Sequence, residues 1–280
     1  MSYETIECEQ DNDLLLITLS RANNYNAFNK HMANEIIRVL ADASHNDSIK
    51  AIIVTGKGKY FCAGADLGKK ETAMSDIISK NDLDLGGKVA LEIFNCCKPI
   101  IAAINGPAIG TGITLTLPMD MRLSATGVKF GFVFSQRGII PESCSSWFLP
   151  RIVGVSKALE WTYSGKIFNE KEAFLGGLIN AVYPSELLLI KAKENARKLI
   201  EDSSQLSVSV TRKLMWSMLT VNHPSEAHIL ESKLLKVLGA LDDAREGVKS
   251  FQEKRPSDFK GKVSDNLSMI DEIINNSMNK

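Results

Sequence analysis

Asn105-Gly-Pro-Ala-Ile-Gly-Thr-Gly112 follows the apolar run Pro99 to Ile104 and leads into a further apolar stretch that stops near Pro118. Asn-Gly-Pro marks a turn, and the small residues after it let a helix open directly against a buried strand. Phe61-Cys-Ala-Gly-Ala-Asp66 repeats the device forty-odd residues earlier, after the apolar run Ile49 to Thr55 and the turn Gly56-Lys-Gly-Lys59. Small residues at such turns allow backbone N–H groups to approach a ligand closely, and a following helix N-terminus adds positive potential. Two such turns on neighbouring strands can aim two N–H groups at one oxygen, the geometry of an oxyanion hole. Each turn alone favours the plainer role of tight strand–helix packing.

Outward from these turns the chain alternates strand and helix. Leu14 to Leu19 reads as a buried strand ended by the Asn-rich turn Arg21-Ala-Asn-Asn-Tyr-Asn26, and Asn29 to Ala43 carries apolar residues at helical spacing with Asn29 as N-cap. Residues 68–86 form a polar excursion, and a helix is expected from about Lys88 to Asn95. Met119 to Ala125, Val128 to Gly131 and Leu178 to Val182 read as strands, with helices over Ser156 to Ser164 and Asn169 to Gly176. Beyond Ser185 only helices follow, at about 186–201, 204–219, 226–239 and 242–254, and the last 25 residues read as a polar extension. The pattern predicts an α/β core with an all-helical annex. The expected division is a core over 1–200, a helical region over 201–258 and an extension over 259–280.

Composition narrows the function classes. The chain has 280 residues, enough to bury a sizeable core. Lys plus Arg and Asp plus Glu number 33 each, so no global field draws in nucleic acid or acidic lipid. The five cysteines are scattered without Cys-x-x-Cys spacing, and the four histidines share no ligand spacing, so neither a disulfide framework nor a metal site is expected. No apolar run is long enough to span a membrane, no signal peptide is visible, and a cytoplasmic protein is expected.

The third element is the loop Arg137-Gly-Ile-Ile-Pro-Glu142. Glu142 is the only acidic residue among Gly138 to Trp147. Burial would disfavour its charged form and lift its pKa toward the range where a carboxylate shuttles protons near neutral pH. The competing role is a helix cap, since a carboxylate in a first helical turn is worth a few tenths to about 1 kcal/mol.

Taken together, the order and spacing of Phe61 to Asp66, Asn105 to Gly110, Met119-Asp120 and Leu149-Pro-Arg-Ile-Val-Gly154 resemble the crotonase (enoyl-CoA hydratase/isomerase) superfamily over about residues 5–255. The resemblance implies a spiral of ββα units with a C-terminal helical oligomerisation region, and a trimer or a dimer of trimers. It implies an acyl-CoA thioester whose oxygen sits between the N–H groups of Ala65 and Thr111. By the same carry-over Cys62, Ala63 and Leu67 would lie along the adenine, Asp66 beside them, and Asn26 and Ala27 would line the entrance. Coenzyme A belongs to the substrate, so no separate cofactor is implied.

Hydratases of this superfamily use two glutamates, and here Thr114 and Phe134 stand at those positions. Pro141-Glu142-Ser-Cys-Ser-Ser followed by an aromatic is instead similar to the catalytic segment of the peroxisomal-type 3,2-enoyl-CoA isomerases. That resemblance implies conversion of 3-enoyl-CoA to trans-2-enoyl-CoA, a step of fatty-acid β-oxidation, with Glu142 as the single base. Ile139, Ile140, Phe134 and Trp147 are expected to keep water from it. A hydratase or carnitine racemase-like enzyme on the same scaffold, and a non-catalytic acyl-CoA binder in which Glu142 only caps a helix, are the alternatives.

Overall fold

The run Ala51-Ile-Ile-Val-Thr-Gly56 shows why the sheet forms where it does: apart from Thr55 its residues are buried, as a strand covered on both faces requires. In the computed structural model, which describes residues 3–66 and 83–278, this run is β3. β1 (Ile6–Asp11) pairs antiparallel with β2 (Leu14–Leu19), and β2, β3, β4 (Ile100–Ile104), β6 (Met121–Ala125) and β9 (Ala181–Tyr183) continue the sheet in parallel. The short strands β5 (Ala108–Ile109), β7 (Lys129–Gly131) and β8 (Ile167–Asn169) form a second sheet. The architecture is the mixed α/β fold that the strand–helix alternation predicts, with a helical C-terminal region.

Helices cover the sheet through the faces that their apolar spacing prescribes. In α1 (Lys30–His45) the Asn29 side chain accepts from the Met32 N–H at 2.9 Å, the expected cap, and Met32, Ile36, Val39, Leu40 and Ala43 are buried. α7 (Ser185–Ile200) packs on β3, β4 and β6 through Leu188, Ala192, Ala196 and Ile200, whose spacing puts two alanines where helix and sheet meet. α2 spans Leu85–Asn95, three residues earlier than its apolar pattern alone suggests, because Asp84 caps it through the Gly87 N–H.

The C-terminal annex comprises α8 (Gln205–Met218), α9 (Pro224–Leu238), α10 (Asp242–Glu253) and α11 (Val263–Met278). The segment expected as a polar extension therefore carries a helix. Its Asn-, Asp- and Ser-rich composition hides a single apolar stripe in which Val263 and Ile270 are fully buried, and Ile270 and Ile274 pack into the cluster of Leu206, Val210, Leu230 and Leu234.

Arg212 ties the annex to the core. Its guanidinium bonds Asp120 at 2.9 Å and donates to the carbonyls of Phe94 at 2.8 Å, Cys96 at 2.6 Å and Ile93 at 3.0 Å, the C-terminal end of α2. A cation at a helix C-terminus satisfies carbonyls that have no partner within the helix. Asp120 also accepts from the Ile100 N–H at 2.7 Å, so one carboxylate joins β4 to α8. Arg212→Ala strips this network of its donors, and removing one partner of a buried pair is expected to cost about 3 kcal/mol of unfolding free energy in urea titration. A loss below about 1 kcal/mol, the usual worth of an exposed pair, would show that α8 is held by its apolar contacts alone.

Candidate active site

The two small-residue turns meet through backbone contact. Phe28 pairs with Ala65 in a parallel bridge: the Phe28 N–H donates to the Gly64 carbonyl at 2.8 Å and the Asp66 N–H to the Phe28 carbonyl at 2.7 Å. These bonds flank Ala65, whose own N–H has no backbone acceptor among the described residues. Cys62 bridges Ala108 in the same way, with Cys62 N–H to the Pro107 carbonyl at 3.2 Å and Ile109 N–H to the Cys62 carbonyl at 3.1 Å. Gly110 then donates to the Gly131 carbonyl at 2.8 Å, and α3 (Thr111–Thr114) opens with the Thr111 N–H in its first turn.

Glycine is required where the turns touch. Gly64 has φ +105°, and a Cβ there would stand 2.8 Å from the Ile109 carbonyl oxygen and 3.9 Å from the Thr111 nitrogen. A Cβ on Gly112 would overlap the Cys62 carbonyl. The strand end that carries Ala65 is thereby packed against the turn that carries Thr111.

Glu142 lies against the second of these turns. Its Oε1 accepts from the Thr114 hydroxyl at 2.7 Å, and its Oε2 accepts from the Ser143 hydroxyl. It does not cap a helix: α4 (Ser145–Val153) begins after Cys144, and no side chain caps it. Ser143 and Cys144 both adopt left-handed backbone, at φ 58° and 55°, which turns the chain sharply between Glu142 and the helix. Such residues are uncommon outside glycine and persist where surrounding structure holds them. Burial pushes the Glu142 carboxyl above its ordinary pKa; hydrogen bonds from Ser143, Thr114 and Thr111 oppose the rise, and the negative charge of Asp84 adds to it.

Asp84 and Gly86 are the parts that sequence reasoning missed. Residue 86 must be glycine for the carboxylate to fit, since a Cβ there would overlap both Glu142 Oε2 and Ser143 Oγ. The only signal in the sequence was Gly86-Gly87 inside a helix, where glycine is costly and its presence points to a close approach.

The remaining expected residues divide into neighbours and supports. Phe134 is buried, with its ring 3.9 Å from where a Gly110 Cβ would stand, so it walls the turn that carries Thr111. Trp147 packs edge-on against Phe94 and Phe148 with Arg151 over its face at 4.1 Å. Ile140 is 82% exposed, so it does not keep water from Glu142 as expected; the αL turn at Gly138 carries it outward. Asn26 is fully buried, its amide bonding the Arg21 N–H at 2.9 Å and the carbonyls of Lys57 at 3.0 Å and Tyr60 at 2.7 Å. Arg21 in turn bonds the Ala27 carbonyl and pairs with Asp66 at 2.7 Å, so these residues brace the first turn. Cys62 is buried with its backbone engaged in the bridge, and the Ala63 N–H donates to the Tyr25 carbonyl at 3.1 Å. Leu67 lies outside the described residues.

A separate open cleft of about 780 Å³, lined by Leu206, Met215, Trp216, Leu235 and Phe259, contains neither Glu142 nor the Ala65 and Thr111 turns. The Asp120 and Asp243 carboxylates in its lining are engaged, Asp120 by Arg212 and the Ile100 N–H and Asp243 by the Ser204 hydroxyl and the Gly261 N–H. Among the described residues no group of three His, Cys, Asp or Glu side chains is arranged to hold a metal, and no helix is long and apolar enough to cross a membrane.

Residues 9–262 match the enoyl-CoA hydratase/isomerase family, and the chain belongs to that family. It is 40% identical over 249 residues to the enoyl-CoA hydratase ACTT3 of Alternaria alternata, covering 88% of this chain and 82% of that one. It is 33% identical over 250 residues to the 2,3-dehydroadipyl-CoA hydratase of Escherichia coli K12, covering 89% and 96%. The crystal structure of an enoyl-CoA hydratase from Bacillus anthracis superposes with a TM-score of 0.85 at 28% identity, over 92% of this chain and all of that one.

A carboxyl with a raised folded-state pKa binds its proton more tightly folded than unfolded. Native stability therefore falls as pH rises from the ordinary carboxylate range through the raised value. Glu142→Gln cannot ionise, so it is expected to melt above the native protein at neutral pH, with the gap closing in acid where native Glu142 is protonated. Thermal denaturation at the two pH values checks this; a gap of the same size at both would locate the effect elsewhere.

Proposed function

We propose that this protein isomerises 3-enoyl-CoA thioesters to trans-2-enoyl-CoA with Glu142 as its single base. The observation that carries the reading is the placement of the Glu142 carboxylate: mostly buried, bonded to Thr114 of α3, and so adjacent to the turn that presents the Thr111 N–H. With the thioester oxygen between Ala65 and Thr111, the substrate carbon next to the carbonyl comes up against the carboxylate. Glu142 takes the proton from C2, the two N–H groups hold the dienolate oxygen, and the carboxyl returns the proton at C4. Atoms and charge balance without water or a cofactor. A carboxyl raised above its ordinary pKa is matched to taking up and releasing a proton near neutral pH.

Thr114 supports the choice of one base over two. Where a hydratase of the family would carry a second glutamate, this hydroxyl donates to Glu142 instead. Phe134 occupies the other hydratase position with a buried ring. Hydration of a 2-enoyl-CoA is the second reading, favoured by the printed activities of the Alternaria and Escherichia relatives. Assembly as a trimer or a dimer of trimers belongs to the same proposal, supported by the exposed apolar side chains Tyr163, Phe174, Leu175 and Phe251.

Incubation with 3-enoyl-CoA and with 2-enoyl-CoA separates the readings. Native protein is expected to form 2-enoyl-CoA, and Glu142→Gln to lose roughly 10²–10⁴-fold of that rate, the usual worth of a positioned general base. Equal rates for the two proteins would rule out the one-base mechanism, and hydration outrunning isomerisation would establish the second reading.

A further inference from the structure

We infer that Asp84 is a positioning residue for Glu142: its carboxylate latches the base loop to the start of α2 and sets a like charge against the base. The inference rests on the proposed role of Glu142 and goes beyond it by naming what holds the base in place.

Asp84 makes two backbone contacts that together fix the loop. It accepts from the Gly87 N–H, capping α2, and its Oδ1 lies 3.4 Å from the Ser143 nitrogen, a long contact across 59 residues of sequence. Ser143 is the first of the two left-handed residues, and its hydroxyl donates to Glu142 Oε2. One carboxylate thus anchors the residue that orients the base. Gly86, two residues further along, leaves the space that the Glu142 carboxylate fills. Asp84 Oδ1 and Glu142 Oε2 both fall within 3.2 Å of the point where a Gly86 Cβ would stand.

The negative charge of Asp84 disfavours ionisation of Glu142. Besides Asp84, the groups facing Glu142 come from two other segments and from its own loop. α3 presents the hydroxyls of Thr111 and Thr114, the first turn presents Cys62, and Cys144 follows in the base loop itself. Burial pushes the Cys62 thiol up to about 11 and raises Cys144 as well, so both are neutral at physiological pH. Asp84 is a charged group that acts on the base.

Two variants separate the latch from the charge. Asn keeps a cap of equal quality and removes the charge, whereas Ala removes both. Asp84→Asn is expected to move the acid limb of kcat/KM to lower pH, because Glu142 then ionises more readily. Asp84→Ala is expected to lose on the order of 10- to 100-fold in kcat with little change in KM, the cost of a base displaced by about an ångström. A direct readout frees the test from the identity of the substrate. ¹³C-carboxyl NMR of the ligand-free protein, with Glu142→Gln to assign the resonance, reports the Glu142 titration itself. A Glu142 midpoint that falls in Asp84→Asn supports the inference even if native protein fails to isomerise 3-enoyl-CoA, an outcome that would count against the proposed reaction alone. An unchanged midpoint in Asp84→Asn, or native kcat in Asp84→Ala, overturns it.

Discussion

The site depends on one constraint: two backbone turns must come closer than any side chain permits. Gly64 and Gly112 stand where a Cβ would press on the Ile109 or Cys62 carbonyl. Parallel bridges at Phe28–Ala65 and Cys62–Ala108 engage the flanking polar groups and leave the Ala65 N–H without a backbone acceptor among the described residues. Backbone N–H groups fixed in this way need little reorganisation when negative charge develops on an oxygen between them, which is why such preorganised donors are worth far more in a dry site than in water. The parallel sheet supplies the rigidity, since β4 runs directly into the second turn and β3 leads through residues 57–60 into the first.

Against that fixed backbone, the base is held by side chains of modest individual strength. Thr114 and Ser143 each give one hydroxyl to the Glu142 carboxylate, which favours its charged form, while burial and Asp84 favour the neutral one. On balance the pKa is raised above the ordinary carboxylate value, which in the proposed isomerisation suits a group that accepts and returns a proton. A fully solvated carboxylate would be too weak a base to do so near neutral pH.

The turns were legible in the sequence through the order and spacing of two small-residue strand ends taken together, and the α/β alternation followed from uninterrupted apolar runs such as Ile52-Ile-Val54. Glu142 was legible as an isolated carboxylate, but its direction was not. That direction is set by two left-handed residues that carry no glycine to announce them, and by Gly86, more than fifty residues away in sequence. Ile140 shows the same limit from the other side: an apolar residue beside the base turns outward because the backbone, not hydrophobicity, decides its aim. α11 escaped notice because its few apolar residues are diluted by Asn, Asp and Ser, and only the surface of α8 and α9 reveals that they form one stripe.

α2 touches both halves of this design. Its C-terminal carbonyls receive Arg212 of the annex, and its N-terminal turn holds Asp84 and Gly86 against the base. Eleven helical residues span about 16 Å, and a helix of that length is stiff along its axis. The helix is therefore a strut between the annex and Glu142, and at its far end Gly86 leaves no room for even a methyl group.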